Sequence, residues 1–180
     1  STANDGLVLA IGACKFDPMG TGVDDAFYVV VDPIDAQAHG LKIDASTVMW
    51  WLEQDALARD ALTLADKVSL GTALEGFAMW FGSDSLPVWG NGASFDNVLL
   101  RSSYKAAGIE APWKFWDDRC YRTLKNLAPE VKIERVGTHH NALDDAISQV
   151  NHLILLPCFQ ELCKAEKQAE LDQLQGELIL

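Results

Sequence analysis

The sequence has few cysteines, no pair of cysteines in a CxxC spacing and no apolar run near the ~20 residues of a membrane helix. The four cysteines therefore predict neither a disulfide scaffold nor a zinc site, but reduced and mostly buried thiols. The first residues also lack the basic-then-apolar order of a signal peptide. We accordingly expect no membrane partner and a cytoplasmic location, bacterial or phage-encoded. The cysteines are Cys14, Cys120, Cys158 and Cys163.

Basic residues are also scarce, since 14 Lys and Arg stand against 26 Asp and Glu and the net charge is −12. This balance argues against a protein that holds duplex phosphates with a basic surface. Nucleic acid stays open as a ligand, because divalent cations reverse the local charge of an acidic site. The 180 residues, 49% of them hydrophobic, predict one domain with a full core.

Apolar periodicity and turn residues predict an α/β layered domain over 1–156, followed by a charged helical tail over 157–180. The tail is expected to be a solvated helix or one that forms a homodimer. The first two strands are joined by a short glycine-containing link, so they are expected to form an antiparallel hairpin. Strands are predicted at 7–16, 26–31 and 87–89, and helices at 46–64, 69–81, 94–107, 123–127 and 141–154.

Two acidic segments are candidates for a site. In the first, a strand ends in Gly90-Asn-Gly92, and Asp96 lies in the first turn of the next helix. Asp96 is then either presented at the edge of a sheet, where α/β sites lie, or merely complements the helix dipole. In the second, His140 precedes a helix that carries Asp145, which would place an imidazole beside a metal-binding carboxylate. A capped helix with an acidic first turn is the alternative, and His139 competes with His140 for the inward position.

In combination these segments resemble the DEDDh 3′–5′ exonucleases of the ribonuclease H-like superfamily. The shared features are the strand-edge Asp96 in WGNGASFD and the later H-x4-D in HNALDDA. The segment T-x-x-W-W-x-x-Q followed by Ala58-Arg59, and W-x-F-W followed by Arg122-Thr123, are similar to a phage and prophage branch that holds the exodeoxyribonuclease VIII-like proteins. The resemblance covers Leu7 to about Ile154.

The resemblance implies a mixed β-sheet flanked by helices and hydrolysis of phosphodiester bonds with two Mg²⁺ or Mn²⁺ ions ~3.5–4 Å apart. Asp96 and Asp145 would be metal ligands, since both ions prefer oxygen donors. His140 would be the general base that takes a proton from the attacking water.

The same resemblance implies a substrate site for the 3′ ends of single-stranded DNA or RNA. Asn91 and Phe95 would hold the terminal nucleotide. Trp50 and Trp51 would stack bases, worth ~1–3 kcal/mol each, or belong to the core, and we expect the core for Trp51. Arg122 would contact a phosphate or form an ion pair with Asp117 or Asp118.

One family feature has no counterpart in the sequence. The first strand of the family carries D-x-E, and no D-x-E lies in a strand context here; the pairs at 24–25 and 117–118 are expected in turns. We therefore expect a D-x-E strand upstream of Ser1, beside the strand at 7–16. With it, the chain would be an exonuclease that releases nucleoside monophosphates, including an oligoribonuclease-like or adenylate-trimming exoribonuclease. Without it, the chain would be a non-catalytic nucleic-acid-binding or interaction domain.

Overall fold

A computed structural model describes residues 4–83 and 85–177. This part of the chain forms five strands and eight α-helices, so the fold class is α/β with a mixed sheet and a C-terminal helix, as predicted. The elements are β1 (Ala10–Lys15), β2 (Asp25–Val31), α1 (Pro33–Ala38), α2 (Ala45–Leu52), α3 (Ala56–Thr63), β3 (Lys67–Val68), α4 (Leu70–Phe81), β4 (Val88–Gly90), α5 (Asp96–Ala107), β5 (Asp118–Cys120), α6 (Tyr121–Leu127), α7 (Ala142–Leu153) and α8 (Pro157–Glu177).

The strands form two sheets. β1 pairs with β2 in an antiparallel hairpin, with Ala10 opposite Val30 and Lys15 opposite Asp25, and β2 pairs in parallel with the short β3. β4 and β5 form a separate parallel pair in which Gly90 lies opposite Cys120. The predicted hairpin is therefore confirmed, and it contributes Ile11, Val30 and Val31 to the buried residues.

The larger core lies where α4 covers the hairpin. Leu70, Leu74 and Phe77 of α4 are buried at helical spacing, and the Phe27 ring of β2 packs edge-on against Phe77 with centroids 5.6 Å apart. A second cluster joins α6, α7 and α8 around Tyr121. The two clusters fix β1, β4 and α7 relative to one another, and these three elements border the site.

A groove separates the two sheets. Residues 7–12 line one wall of a cavity of about 510 Å³, and residues 89–91 line the opposite wall. In the described part of the chain, β1 has a strand partner only in β2, and β4 only in β5. The edges that face the groove therefore carry backbone groups that no neighbouring strand satisfies.

The expected single helix over 46–64 is two helices. The chain turns at Glu53–Asp55, where the guanidinium of Arg59 donates to the carbonyls of Leu52 (2.8 Å) and Gln54 (2.7 Å). These bonds satisfy acceptors at the end of α2, and the apolar spacing alone gave no sign of the break.

Asp25 and Asp118 were expected in turns and instead lie in strands β2 and β5. The carboxylate of Asp118 accepts from Trp113 Nε1 (2.9 Å) and Asn97 Nδ2 (3.0 Å) and pairs with Arg101. Two of these partners, Asn97 and Arg101, lie on α5, about twenty residues before Asp118. A local sequence pattern therefore could not predict these contacts. Within the described ranges, no helix is both long and apolar enough to span a bilayer.

Gly12 allows α7 to approach β1 closely, which places Asp145 beside the groove. A Cβ at this position would collide with the backbone of Ala142 and Leu143, which cannot move away as a flexible side chain could. We expect Gly12→Ala to lower the free energy of unfolding by at least ~1–3 kcal/mol, the usual cost of overpacking. Urea denaturation measures the change. Gly71→Ala is the matched control, since nothing lies within 4 Å of its Cβ position; equal loss in both variants would contradict the argument.

Candidate active site

The groove is lined by side chains that are far apart in the sequence. Its wall and floor come from the loop after β4, the first turn of α5, α6 and the start of α7. Seven of the eight predicted site residues line the cavity, and the eighth, Trp50, packs on one of them. The seven are Trp51, Asn91, Phe95, Asp96, Arg122, His140 and Asp145.

Asp96 opens α5 directly below the glycine turn. Its Oδ2 accepts a hydrogen bond from the backbone N–H of Asn91 at 2.6 Å, which orients the carboxylate. Burial raises the pKa of Asp96, and the negative charge of Asp145 raises it further, while the Asn91 hydrogen bond and Arg122 oppose the shift. Asp96 and Asp145 therefore line the same cavity, and the charge of Asp145 acts on Asp96.

Asp145 lies in the first turn of α7. The side chain of Asn141 caps this helix by accepting from the N–H groups of Leu143 (3.0 Å) and Asp144 (3.2 Å). Oδ1 of Asp145 accepts from Nη1 of Arg135 at 2.7 Å, and the carboxylate stays partly exposed to the groove. A cation of the chain, Arg135, is therefore already paired with this carboxylate.

His140 is held in an unusual backbone conformation. Its φ is 69°, in the left-handed region, and Asn141 N–H donates to Thr138 O at 3.0 Å across the turn. Such a φ is uncommon outside glycine and is often found at functional sites. The ring stacks on His139 at 3.7 Å and lies edge-on to Trp50 at 4.8 Å. The turn therefore points His140 into the groove and settles the two-histidine ambiguity in its favour as a groove-lining residue; His139 lines only the adjoining cavity.

The environment of His140 favours its neutral form. Burial, the neighbouring His139 and the charge of Arg135 lower the pKa of the imidazole, and Asp145 opposes them. A neutral imidazole can accept a proton, which is what a general base must do.

Aromatic side chains lie along the rim. Trp50 is 42% exposed and Phe95 is 38% exposed. Trp51 was expected in the core, but α2 buries none of its residues and Trp51 is half-buried against the groove. The expectation was wrong because α2 lines the groove with Thr47, Val48 and Trp51 and contributes no residue to either hydrophobic cluster. The exposed rings are available for stacking.

Arg122 faces the glycine turn rather than an acidic residue. Nη2 donates to Asn91 O at 2.7 Å, and Nε donates to Asn91 Oδ1 at 3.3 Å. The alternative of an ion pair with Asp117 or Asp118 is wrong: in the described part of the chain Asp118 pairs with Arg101, and Asp117 accepts from the Lys114 N–H.

The described residues fit only part of a metal site. Across 4–83 and 85–177, no group of three or more His, Cys, Asp or Glu side chains is arranged to hold a metal ion. Asp96 and Asp145 form a pair, and Mg²⁺ is commonly held by one or two carboxylates together with water and substrate phosphate. The pair suits one such ion, whereas a second ion needs further oxygen ligands.

Sequence reasoning missed two cations beside the carboxylates. Arg135 and Lys125 line a second cavity, of about 160 Å³, which adjoins the groove and shares Asn91, His140 and Asp145 with it. Arg135 lies in a polar loop with no periodic signal. Lys125 follows Arg122 by three residues on α6, which places them on one face of that helix. This three-residue spacing was the only sequence pattern that could have indicated Lys125.

Comparison with known proteins gives one family. A family model described as the 3′-5′ exoribonuclease Rv2179c-like domain matches residues 1–156. No curated protein matches the chain, and no solved structure matches it. The matched range ends before α8 begins at Pro157.

Proposed function

Since the chain belongs to the Rv2179c-like 3′-5′ exoribonuclease domain family, we propose that it is a metal-dependent DEDDh exonuclease. It releases nucleoside monophosphates from the 3′ ends of single-stranded nucleic acid. We expect RNA to be the preferred substrate and DNA to be the alternative. The observation that carries the proposal is the meeting of Asp96, Asp145 and His140 in one groove. Within the superfamily, the Trp50–Trp51 segment supports the phage and prophage branch.

Asp96 and Asp145 would hold the divalent ions in this proposal. When bound, two Mg²⁺ or Mn²⁺ ions would stabilise the charge on the phosphate and on the leaving 3′-oxygen. The Asn91 N–H keeps Asp96 in a fixed orientation, and the cap by Asn141 fixes the first turn that carries Asp145. Both carboxylates therefore need little rearrangement to act as ligands.

His140 would take the proton of the attacking water. Its strained turn and the rings of His139 and Trp50 restrict the imidazole to one side of the groove. The lowered pKa keeps this ring unprotonated near neutral pH.

The substrate strand would lie along the aromatic rim. Phe95, Trp50 and Trp51 offer ring faces and edges on which bases of any sequence stack. Asn91 and Arg122 would contact the terminal nucleotide and its phosphate, because their polar groups face the same cavity as Asp96. These contacts favour single strands, in which the bases are free to leave the helix stack.

We further propose that a strand carrying D-x-E lies between β1 and β4 at the base of the groove, below the rim at which the substrate binds. It would satisfy the unpaired strand edges on both walls and supply the oxygen ligands that the described residues lack. The test compares the chain extended ahead of Ser1 by a D-x-E strand with the same chain carrying N-x-Q. Both should unfold at higher urea concentration than the 180-residue chain, and only the first should gain hydrolysis. Unchanged stability in both would contradict the proposal.

The proposed function is tested with 5′-labelled single-stranded RNA and DNA of equal sequence, incubated with the D-x-E-extended protein and Mn²⁺ or with chelator. A ladder of products shortened from the 3′ end, absent with chelator, is expected. Binding of the strands without shortening would favour the alternative, a non-catalytic nucleic-acid-binding or interaction domain.

The pH dependence of hydrolysis is predicted by the pKa of His140. Burial, His139 and Arg135 lower this pKa from its ordinary value near 6.5. The base is active when neutral, so the rate should rise with pH through a midpoint below 6.5 and then level off. His139→Ala removes one repulsive neighbour, so its midpoint should lie at higher pH than that of the unmodified protein. A midpoint that moves down, or not at all, would contradict this assignment.

A further inference from the structure

The second cavity is cationic on a strongly acidic chain. Lys125 and Arg135 line it together with His139, although the chain as a whole carries a net charge of −12 and only 14 Lys and Arg. Across the part of the chain that the structure describes, Lys125 takes part in none of the ion pairs, and Arg135 pairs only with Asp145. Asp145 is the one carboxylate among the residues that line this cavity, so Lys125 and Arg135 leave it with an excess of positive charge. Such an excess indicates a ligand that is itself an anion.

The size and position of this cavity suit a phosphate. Its volume of about 160 Å³ is too small for a nucleoside, and four of its lining residues also line the groove, namely Asn91, His140, Asp145 and Gln149. A phosphate in this cavity would therefore remain attached to a nucleoside in the groove. The guanidinium of Arg135 is suited to such an anion, since its planar donors bind phosphate oxygens in pairs.

The ion pair with Asp145 holds the guanidinium of Arg135 beside the cavity before a ligand binds. Nη1 of Arg135 lies 2.7 Å from Oδ1 of Asp145, and both side chains are partly exposed, so the pair is free to exchange partners. A cation bound to Asp145 would neutralise the carboxylate and repel the guanidinium. Arg135 would then turn to the nearest anion, which is the phosphate.

We propose that Lys125 and Arg135 bind the phosphate of the terminal nucleotide, and that Arg135 exchanges its bond to Asp145 for one to this phosphate. The inference rests on the proposed function, because it assigns two further residues to the same site. They are substrate-binding residues that recognise a phosphate monoester or diester, whatever the base.

The test measures binding rather than turnover. The four nucleoside 5′-monophosphates and the matching nucleosides are titrated into the D-x-E-extended protein by calorimetry, with Mn²⁺ and no oligonucleotide. Loss of a hydrogen bond to a charged group weakens binding by about 10-fold or more, so Arg135→Gln and Lys125→Gln should each do so for the monophosphates. Neither variant should change the affinity for a nucleoside.

Lys132→Gln is the matched control, since Lys132 lies in the same loop as Arg135, is bonded only to Pro129 O and does not line the cavity. It should bind the monophosphates like the unmodified protein. Because Arg135→Gln also breaks an ion pair, thermal unfolding of each variant is recorded, and Lys125→Gln tests the site without that complication.

Monophosphate affinity that is equal in all three variants, or undetectable in the unmodified protein, would overturn the inference. The proposed function fails by a different result, namely no shortening of labelled strands. Hydrolysis together with unchanged monophosphate affinity would remove Lys125 and Arg135 from the site and leave the exonuclease in place.

Discussion

Asp96→Asn and Asp145→Asn are each expected to reduce hydrolysis by more than ~100-fold while leaving the fold intact. A residue that merely orients a metal ligand already contributes about 10–100-fold, so loss of a ligand should cost more. The Asn side chain has the same shape and can still accept the hydrogen bond that Asp96 receives from the Asn91 backbone N–H. Initial rates on labelled single-stranded RNA over a range of Mn²⁺ concentrations measure the effect.

The two variants should also differ from each other in stability. Desolvation raises the pKa of Asp96 although the residue remains exposed to the groove, so Asp96→Asn removes a charge that its surroundings disfavour and should not destabilise the protein. Asp145→Asn loses the ion pair with Arg135 at a partly exposed position, which contributes at most about 1 kcal/mol. Asp60→Asn on the exposed side of α3 is the control for charge alone. Mn²⁺-dependent activity retained in either site variant would remove that residue from the site.

His140→Asn is expected to lower the rate by about 10²–10⁴-fold, the range that a positioned general base contributes. Asn is chosen because it tolerates the left-handed φ of 69° better than Ala, so the turn is kept while the proton acceptor is lost. Its rate should no longer depend on pH between 5 and 8. Single-turnover rates at saturating Mn²⁺ separate this loss from a loss of substrate binding.

His139→Asn is the matched control for the base. His139 stacks on His140 but lines only the adjoining cavity, so its replacement should alter the rate far less. The reverse order of effects would show that His139 is the base. Equal small effects in both variants would exclude a histidine base and leave activation of the water to other groups.

The local sequence pattern predicted much of the secondary structure correctly. The β1–β2 hairpin and helices α4, α5 and α7 follow the predicted segments closely, because each is encoded by apolar spacing and by residues at its own ends. Gly108 ends α5 with a φ of 70°, and Ser69 caps α4 by accepting from Thr72 N–H. Such signals act within a few residues and can be read from the chain.

The sequence by itself determined which residues were candidates for the site, through Asp96 after the glycine turn and His140 five residues before Asp145. Only the tertiary structure decided how they meet and what surrounds them. The break in 46–64, the Arg101–Asp118 pair and the approach of Arg135 to Asp145 depend on contacts between separate elements. Local propensity carries no information about such contacts, because their energy arises only when packing brings the partners together.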